Sequence, residues 1–381
     1  MRNAISQQNY FKKMPSRDGY CMKIKVGILG ATGIVGQQYL KLLENHPWFE
    51  IGYLAASEQS SGKTFYEATK NKYRINHIFN SSIEEMIVHK VSLEDHDLNK
   101  AKNLCRFVFS ALDTHPAKIY EEAYAKHGFA VISNASFFRG FSDIPMLIPE
   151  INPHHLSIIE TQKRNRGFDK GFIVVKPNCS IQSYLCPLFA IHQKFKIKKV
   201  MVTTMQSVSG AGWPGISSMD VLDNIIPFIE GEEDKSEKEP LNILGYVENG
   251  VVKNNDQILI SASCNRVPVI EGHMACVGLE FNGKKPHLDE VLEIMATFKG
   301  LPQELLLPSA PTNPIIIKKE NNRPQNKLDK DNGNQMSITV GRLRDCPVMH
   351  MRFVGLSHNT IRGAAGGGIL NAELLKALDY L

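Results

Sequence analysis

Residues 23–47, KIKVGILGATGIVGQQYLKLLENHP, constrain the fold more than any other stretch. A short apolar run with strand character leads into Gly30, Gly33 and Gly36 at G-x-x-G-x-x-G spacing, and the glycines lead into apolar residues at helical spacing that end near Pro47. A second apolar stretch, EIGYLAAS, closes a β-α-β unit. RFVFSAL and FAVISNAS read as further buried strands, separated by the helical IYEEAYAKHG. The alternation predicts a parallel sheet with right-handed crossovers over residues 23–177. After KPNCS the texture changes: KKVMVTTMQSVSG, DQILISASCNRVPV, HMACVGLEF and PVMHMRFVGL alternate along their length, as expected for a second sheet with helices on one face. The last stretch, NTIRGAAGGGILNAELLKALDYL, is a glycine-rich turn and an amphipathic helix suited to packing back on the first unit.

The chain's 381 residues favour two domains at about 100 to 200 residues each, or one large α/β unit with an insertion. The 43% hydrophobic and 22% charged content excludes collagen-like, coiled-coil and wholly disordered chains. Forty-four Lys and Arg against 39 Asp and Glu leave +5, too small a bias for a nucleic-acid or membrane surface, although it suits an anionic small substrate. Seven cysteines form no C-x-x-C pair and no zinc-site spacing, so a reduced, metal-free interior is expected, with Cys105, Cys264 and Cys276 as small core residues. Residues 1–22 are polar without an apolar core and read as a disordered extension, and no apolar run approaches ~18 residues. A soluble cytoplasmic protein is the expectation. Residues 318–334 carry charges, Asn and Pro with little to bury and read as a surface insertion, with an oligomer interface as one use for it.

Glycines between strand and helix permit a tight turn, let the backbone approach a pyrophosphate and leave helix N–H groups for the anion. A nucleotide loop and a merely tight turn are the two readings. The second strand ends in Ser57, Glu58, Gln59, Ser60, Ser61, Gly62 and Lys63. Hydroxyls and a lysine suit a 2′-phosphate and hence NADP, while Glu58 suits the ribose diol of NAD. Downstream, GFIVVKPNCSIQSYLCPLF places Cys179 at a strand-to-helix turn, where a helix dipole lowers a thiol pKa and free N–H groups hold an oxyanion. Pro187 is expected to kink or divide the following helix. Thirteen histidines compete for an acid/base role and position alone does not choose among them; His273 is a candidate because Gly272 precedes it and a strand follows. Arg266 lies seven residues earlier, an odd separation that puts the two on opposite faces of one regular strand unless Pro268 and Gly272 interrupt the pleat. Spacing leaves this open.

The motifs GATGIVGQ, SNAS, PNCS, MQSVSGAGWPG, NIIPFIEGEEDK, NRVPVIEGH, VGRLRDCPV and LSHNTIRGAAGGGILNAELL together resemble aspartate-semialdehyde dehydrogenase, of the branch found in archaea, fungi and some bacteria. The resemblance runs from residue 23 to the last residue. It implies an α/β fold: an N-terminal Rossmann-like NADP-binding domain (residues 23–177 with the returning helix, 357–381), and an α+β catalytic and dimerisation domain (178–356) with a mixed, largely antiparallel sheet. It implies NADPH-dependent reduction of L-aspartyl 4-phosphate to L-aspartate 4-semialdehyde and phosphate, on the way to lysine, methionine and threonine, by a homodimer or homotetramer without metal. Cys179 matches the nucleophile and His273 the acid/base. Gln206 resembles the residue that orients the acyl intermediate, and Asn178 its neighbour at the phosphate and oxyanion site. Arg266 matches the ligand of the α-carboxylate and Glu232 that of the α-amino group, while Arg139 and Lys235 resemble the pair holding phosphate. Gly30, Thr32, Gly33, Ile34, Val35 and Gly36, then Ser57, Ser60, Ser61 and Lys63, match the cofactor loops, and Asn359 belongs to the segment closing over the nicotinamide.

Two positions depart from the branch. Gln59 stands where an arginine is usual, which removes a charge from the 2′-phosphate loop. Lys176 stands where a neutral residue is usual, either favouring a thiolate at Cys179 or pointing to solvent. An acyl-CoA reductase of the same superfamily, such as malonyl-CoA reductase, would keep Cys179, His273 and the glycine loop. A cysteine hydrolase would leave the glycine loop unexplained, and a non-catalytic NADP-binding regulator would leave the thiol unexplained.

Overall fold

The computed structural model describes residues 22–72 and 75–381, so the expected N-terminal extension lies outside the described residues except for Met22. The strands β1 (Ile24–Leu29), β2 (Phe49–Ala56), β3 (Val88–Lys90), β4 (Phe107–Ser110), β5 (Ala130–Ser133) and β6 (Phe172–Val175) form an all-parallel sheet in the order β3-β2-β1-β4-β5-β6. Every residue of β4, β5 and β6 is buried, which is why these segments read as unbroken apolar runs. The order reverses between β1 and β4, and a crevice opens beyond the C-terminal ends of those two strands. Gly30 turns the chain there with φ +80°, and a Cβ on Gly36 would lie 2.2 Å from the Gly30 carbonyl oxygen. The helix Ile34–Leu43 therefore starts directly against the loop that feeds it.

The second sheet comprises β7 (Ile197–Gln206), β10 (Leu259–Arg266), β11 (His273–Phe281), β12 (Ile315–Lys318), β13 (Ile338–Asp345) and β14 (Met351–Ser357), in the order β10-β7-β11-β14-β13-β12. A separate hairpin pairs β8 (Tyr246–Glu248) with β9 (Val251–Lys253). The pairs β7-β11, β11-β14 and β13-β14 are antiparallel, and β7-β10 and β12-β13 are parallel, so the sheet is mixed with antiparallel pairs in the majority. Along β7, Val200, Val202, Thr204 and Gln206 point inward, toward the core shared with the helices Leu185–Lys194 and Leu288–Thr297, while Met201 and Thr203 point outward. The same alternation corrects one expectation. Ala275 and Val277 take the inward positions of β11, which leaves Cys276 exposed, whereas Cys105 and Cys264 are buried. Among the described residues no helix is long and apolar enough to cross a membrane.

After β14 the chain makes a π turn, Ile361–Ala365, and a helix, Gly366–Ala377, that packs against the helix Ile34–Leu43. Glu373, buried, accepts from His46 Nε2 at 2.8 Å and from the Ser309 N–H and hydroxyl at 3.0 and 2.6 Å. Residues 318–334 lie mostly at the surface, and Pro324 and Asp329 anchor the segment inward. Asp329 is 1% exposed and is enclosed by the Arg323 guanidinium and the Gln325 N–H. Beside it, Asn326 Nδ2 donates to the Gly272 carbonyl at 2.5 Å. The polar composition therefore serves a buried carboxylate and braces the turn before His273.

One packing contact at the helix junction can be tested. A Cβ at Gly368 would lie 1.9 Å from the buried Tyr39 hydroxyl. Alanine gains about 1 kcal/mol in helix propensity, but forcing a methyl into a packed interior costs about 1–3 kcal/mol. Gly368→Ala should lower the midpoint of thermal unfolding, and an unchanged or higher midpoint would show that Tyr39 yields freely.

Candidate active site

Arg266 ends β10, Gln206 ends β7 and His273 begins β11, so three adjacent strands deliver three polar side chains to one edge of the sheet. This resolves the odd spacing. Arg266 and His273 lie on different strands, either side of β7, and the turn between them closes at Gly272 with φ +96°. Cys179 comes from the other sheet, four residues past the end of β6. It precedes a single 3₁₀ turn, Ser180–Ser183, and the α-helix begins only at Leu185, with Pro187 in its first turn. The expected helix dipole at Cys179 is thus reduced to one short turn.

Cys179 Sγ lies 3.3 Å from His273 Nε2 and 3.4 Å from Asn178 Oδ1. His273 is fully buried, and its Nδ1 accepts from the Ser207 N–H at 3.1 Å. A backbone N–H can only donate, so the neutral ring carries its proton on Nε2, facing the sulfur. Burial, with Arg266 adding to it, pushes the imidazole down to about 3. Burial likewise pushes the Cys179 thiol up to about 11, with Glu232 raising it further and Lys176, Arg139 and Arg266 opposing. The pair is neutral at rest.

Around it the charges are matched. Glu232 Oε2 accepts from Asn178 Nδ2 at 2.7 Å and Gln206 Nε2 at 3.1 Å, and its Oε1 pairs with Lys235 at 2.9 Å. Although burial works against it, Lys235 and these amides hold the Glu232 carboxyl below its usual range. Arg139 pairs with Glu239 at 3.1 Å and donates to the Asn134 carbonyl at 2.8 Å, and Glu239 also takes the Asn178 N–H at 2.6 Å. Arg266 donates to the Ser207 carbonyl at 2.7 Å. All the residues expected to meet substrate, Arg139, Asn178, Gln206, Glu232, Lys235 and Arg266, line one pocket with Cys179. Lys176, two residues before Asn178, does not point to solvent but is buried.

Ile34, Val35 and Asn359 line that pocket too, and Ile34 and Val35 continue into a second crevice with Gly30, Thr32, Gly33 and Ser57. Gly36 shapes the turn from behind. The rest of the expected 2′-phosphate loop does not reach this crevice. Ser60 is buried, Ser61 is exposed outside the crevice lining, and Lys63 turns back to the Gln59 carbonyl at 2.7 Å. The cation lining the crevice is Lys90, at the end of β3, paired with Glu58 at 2.9 Å. Among the described residues no cluster of His, Cys, Asp or Glu could hold a metal ion.

Two family models match the chain, the semialdehyde dehydrogenase NAD-binding domain over residues 25–159 and the semialdehyde dehydrogenase dimerisation domain over residues 188–362. The aspartate-semialdehyde dehydrogenase of Methanothermobacter thermautotrophicus is 44% identical over 93% of this chain and 99% of its own length. The chain belongs to the aspartate-semialdehyde dehydrogenase family. Among solved members, the Candida albicans aspartate-semialdehyde dehydrogenase with NADP superimposes with a TM-score of 0.85 at 37% identity, covering 94% of this chain and all of that one. A malonyl-CoA reductase (NADP) from Metallosphaera sedula is 41% identical over 94% of this chain and 98% of its own.

Within this member of the aspartate-semialdehyde dehydrogenase family, Glu239 and Lys90 are the site neighbours that sequence reasoning missed. Glu239 had a legible signal: the helix Glu232–Ile243 puts Glu232, Lys235 and Glu239 at positions i, i+3 and i+7 of one face. Lys90 had none, because only the pairing of β3 with β2 brings it to Glu58. Removing the Glu239 carboxylate would leave Arg139 largely buried without its counter-charge, a loss of about 3–5 kcal/mol. Glu239→Ala should therefore unfold at markedly lower urea than the native protein, and a midpoint within error of native would show that the pair contributes nothing.

Proposed function

We propose that the chain reduces L-aspartyl 4-phosphate to L-aspartate 4-semialdehyde and phosphate with NADPH, through a thioester on Cys179, in the biosynthesis of lysine, methionine and threonine. The observation that supports it best is the 3.3 Å contact of Cys179 with His273 in a pocket shared by Arg139, Lys235 and Arg266 and by the end of the glycine loop. The dinucleotide fits the crevice beyond β1, where close backbone packing at Gly30 and Gly36 leaves the start of a ten-residue helix facing outward. The domain boundary then falls at residue 177, so that Cys179 stands at the junction.

In this reading the Cys179 thiol gives its proton to water in the pocket, its sulfur forms a bond to the acyl carbon, and the carbon–oxygen bond to phosphate breaks with its electrons on the departing phosphate. Arg139 and Lys235 hold that dianion, exchanging their carboxylate partners for it. Bound NADPH supplies the hydride that reduces the thioester. The tetrahedral oxyanion left by hydride addition collapses to the aldehyde and expels the Cys179 sulfur as thiolate, which the His273 Nε2–H steadies by hydrogen bonding and water in the pocket protonates. Arg266 takes the α-carboxylate and Glu232 the α-amino group, while Asn178 and Gln206 hold the acyl group. The outward face of the second sheet, with Met201 57% and Leu259 63% exposed, is the surface through which the chain pairs as a homodimer.

Cys179→Ala should abolish turnover while leaving NADPH binding nearly intact. Losing one phosphate contact costs about 1.5–3 kcal/mol, so Arg139→Leu or Lys235→Leu should raise the KM for phosphate in the oxidative direction by roughly tenfold or more. Arg266→Leu should instead damage use of aspartate semialdehyde. Phosphate-independent activity, or greater activity with malonyl-CoA than with the aspartyl substrate, would select the acyl-CoA reading.

For the cofactor, Lys90 supplies the cation that Gln59 lacks, giving up Glu58 when a 2′-phosphate arrives. Lys90→Met should weaken NADPH binding by about tenfold, the loss of one charge-assisted contact, and leave NADH binding unchanged or tighter because Glu58 is freed for the ribose diol. Equal losses for both nucleotides in a binding titration would remove Lys90 from the 2′-phosphate site.

A further inference from the structure

Where the C-terminal segment meets the end of β6 and the nucleophile turn, a small cavity of about 10 Å³ remains, and every residue that lines it is buried. Its polar side chains are Glu150, Lys176, Gln182, Arg362 and Asn371. Each of the five has a buried atom with no hydrogen-bonding partner among the described residues: Glu150 Oε2, Lys176 Nζ, Gln182 Nε2, Arg362 Nη2 and both amide atoms of Asn371. Buried polar groups in native proteins are almost always hydrogen-bonded to protein or to ordered water, so six such atoms around one space point to a ligand.

The elements that meet here also hold Cys179. Gln182 belongs to the 3₁₀ turn after the cysteine, and its N–H donates to the Cys179 carbonyl at 3.3 Å. Arg362 belongs to the π turn of the C-terminal segment; its Nε donates to Gln182 Oε1 at 3.2 Å, and its Nη1 pairs with Glu150 Oε1. On the next residue, a Cβ on Gly363 would fall 2.8 Å from Cys179 Cβ. A Cβ on Gly367 would fall 2.3 Å from Lys176 Cε, so that glycine gives the lysine stem its path to the cavity. Arg362, Glu150 and Gln182 therefore bond one another with one half of each side chain and line the cavity with the other half.

We propose that the cavity binds one ordered water, a fixed ligand that ties the nucleophile turn to the C-terminal segment. The volume admits one such molecule. The lining selects it by chemistry. A metal ion or other cation would stand against Lys176 and Arg362, and an anion would stand against Glu150 Oε2 and the Asn371 amide oxygen. Water both accepts and donates. It takes N–H bonds from two of Lys176, Gln182, Arg362 and Asn371 and donates to Glu150 Oε2 and Asn371 Oδ1, leaving a second lone pair of Glu150 Oε2 for a surplus donor. The bridge adds Asn371, on the helix Gly366–Ala377, to the direct bonds that Arg362 makes with Gln182 and Glu150.

A crystal structure of the native protein, at a resolution that shows ordered water, should place a single peak within hydrogen-bonding distance of Glu150 Oε2, of Asn371 and of at least one further donor. Crystals soaked in bromide should give no anomalous signal there. A dry cavity with Lys176 Nζ drawn onto Glu150, or a bromide ion in the water's place, would overturn the proposal. Asn371→Leu tests it in solution by the sign of the effect. With water bound, leucine strips away a donor and an acceptor, so the thermal midpoint should fall by about 2 °C. Amide hydrogen exchange in the peptides spanning residues 180–184 and 361–367 should quicken about fivefold, the loss of one hydrogen bond, while peptides of the second sheet keep their rates. In a dry cavity leucine would relieve an unpaired buried amide, so an unchanged or higher midpoint would overturn the proposal. Exchange that quickens nowhere, or evenly along the chain, would overturn the tie between turn and segment. The crystallographic arm needs no variant and decides the matter should Asn371→Leu fail to fold. Neither arm uses substrate or nucleotide, so the result stands apart from the acyl-phosphate reading.

Discussion

The contact of Cys179, at the wall of the pocket, with the fully buried His273 sets the conditions for everything built around it. Burial opposes the charged form of both groups, so the resting dyad is neutral, and the charge that chemistry needs must come from fixed neighbours. The carboxylates and cations nearest the pocket are accordingly paired: Glu239 with Arg139 and Glu232 with Lys235. Such pairs keep cations desolvated at tolerable cost, and an arriving phosphate or carboxylate can take over a partner already in place. Lys176 is buried nearby, and its amine has no hydrogen-bonding partner among the described residues.

The fold supplies this geometry by convergence. The parallel sheet brings Cys179 past the end of β6, and the mixed sheet brings Arg266, Gln206 and His273 abreast on three strands. The two are locked by the C-terminal segment, in which each glycine has a particular neighbour: Gly363 meets Cys179, Gly367 meets Lys176 and Gly368 meets Tyr39. A side chain at any of them would meet that neighbour closer than van der Waals contact allows. The segment at 318–334 has an analogous role on the other side, since Asn326 grips the turn that aims His273.

What could be read in the sequence follows from how local each cause is. The doubly wound sheet was legible because β4, β5 and β6 are buried throughout and alternate with helices. Cys179 was legible because the nucleophile turn is a contiguous motif, although the helix assumed to follow it at once begins only at Leu185. The relation of Arg266 to His273 was not, since it depends on a turn and on β7 lying between their strands. Cys276 was misplaced because an apolar alternating strand does not say which parity faces the core. Which side chains of the 57–63 loop face the crevice was not legible, because a serine or lysine in a loop can turn either way, as Lys63 does toward the Gln59 carbonyl. Buried polar residues such as Asp329 and Lys176 look like surface residues until their surroundings are known.

The most direct test of the central claim is to trap the acyl enzyme. Incubating the protein with aspartate semialdehyde and NADP in the absence of phosphate, and examining the digested protein by mass spectrometry, should show an aspartyl adduct on the peptide carrying Cys179. Adding phosphate should discharge it as aspartyl phosphate. An adduct that forms elsewhere, or one that coenzyme A releases and phosphate does not, would contradict the account.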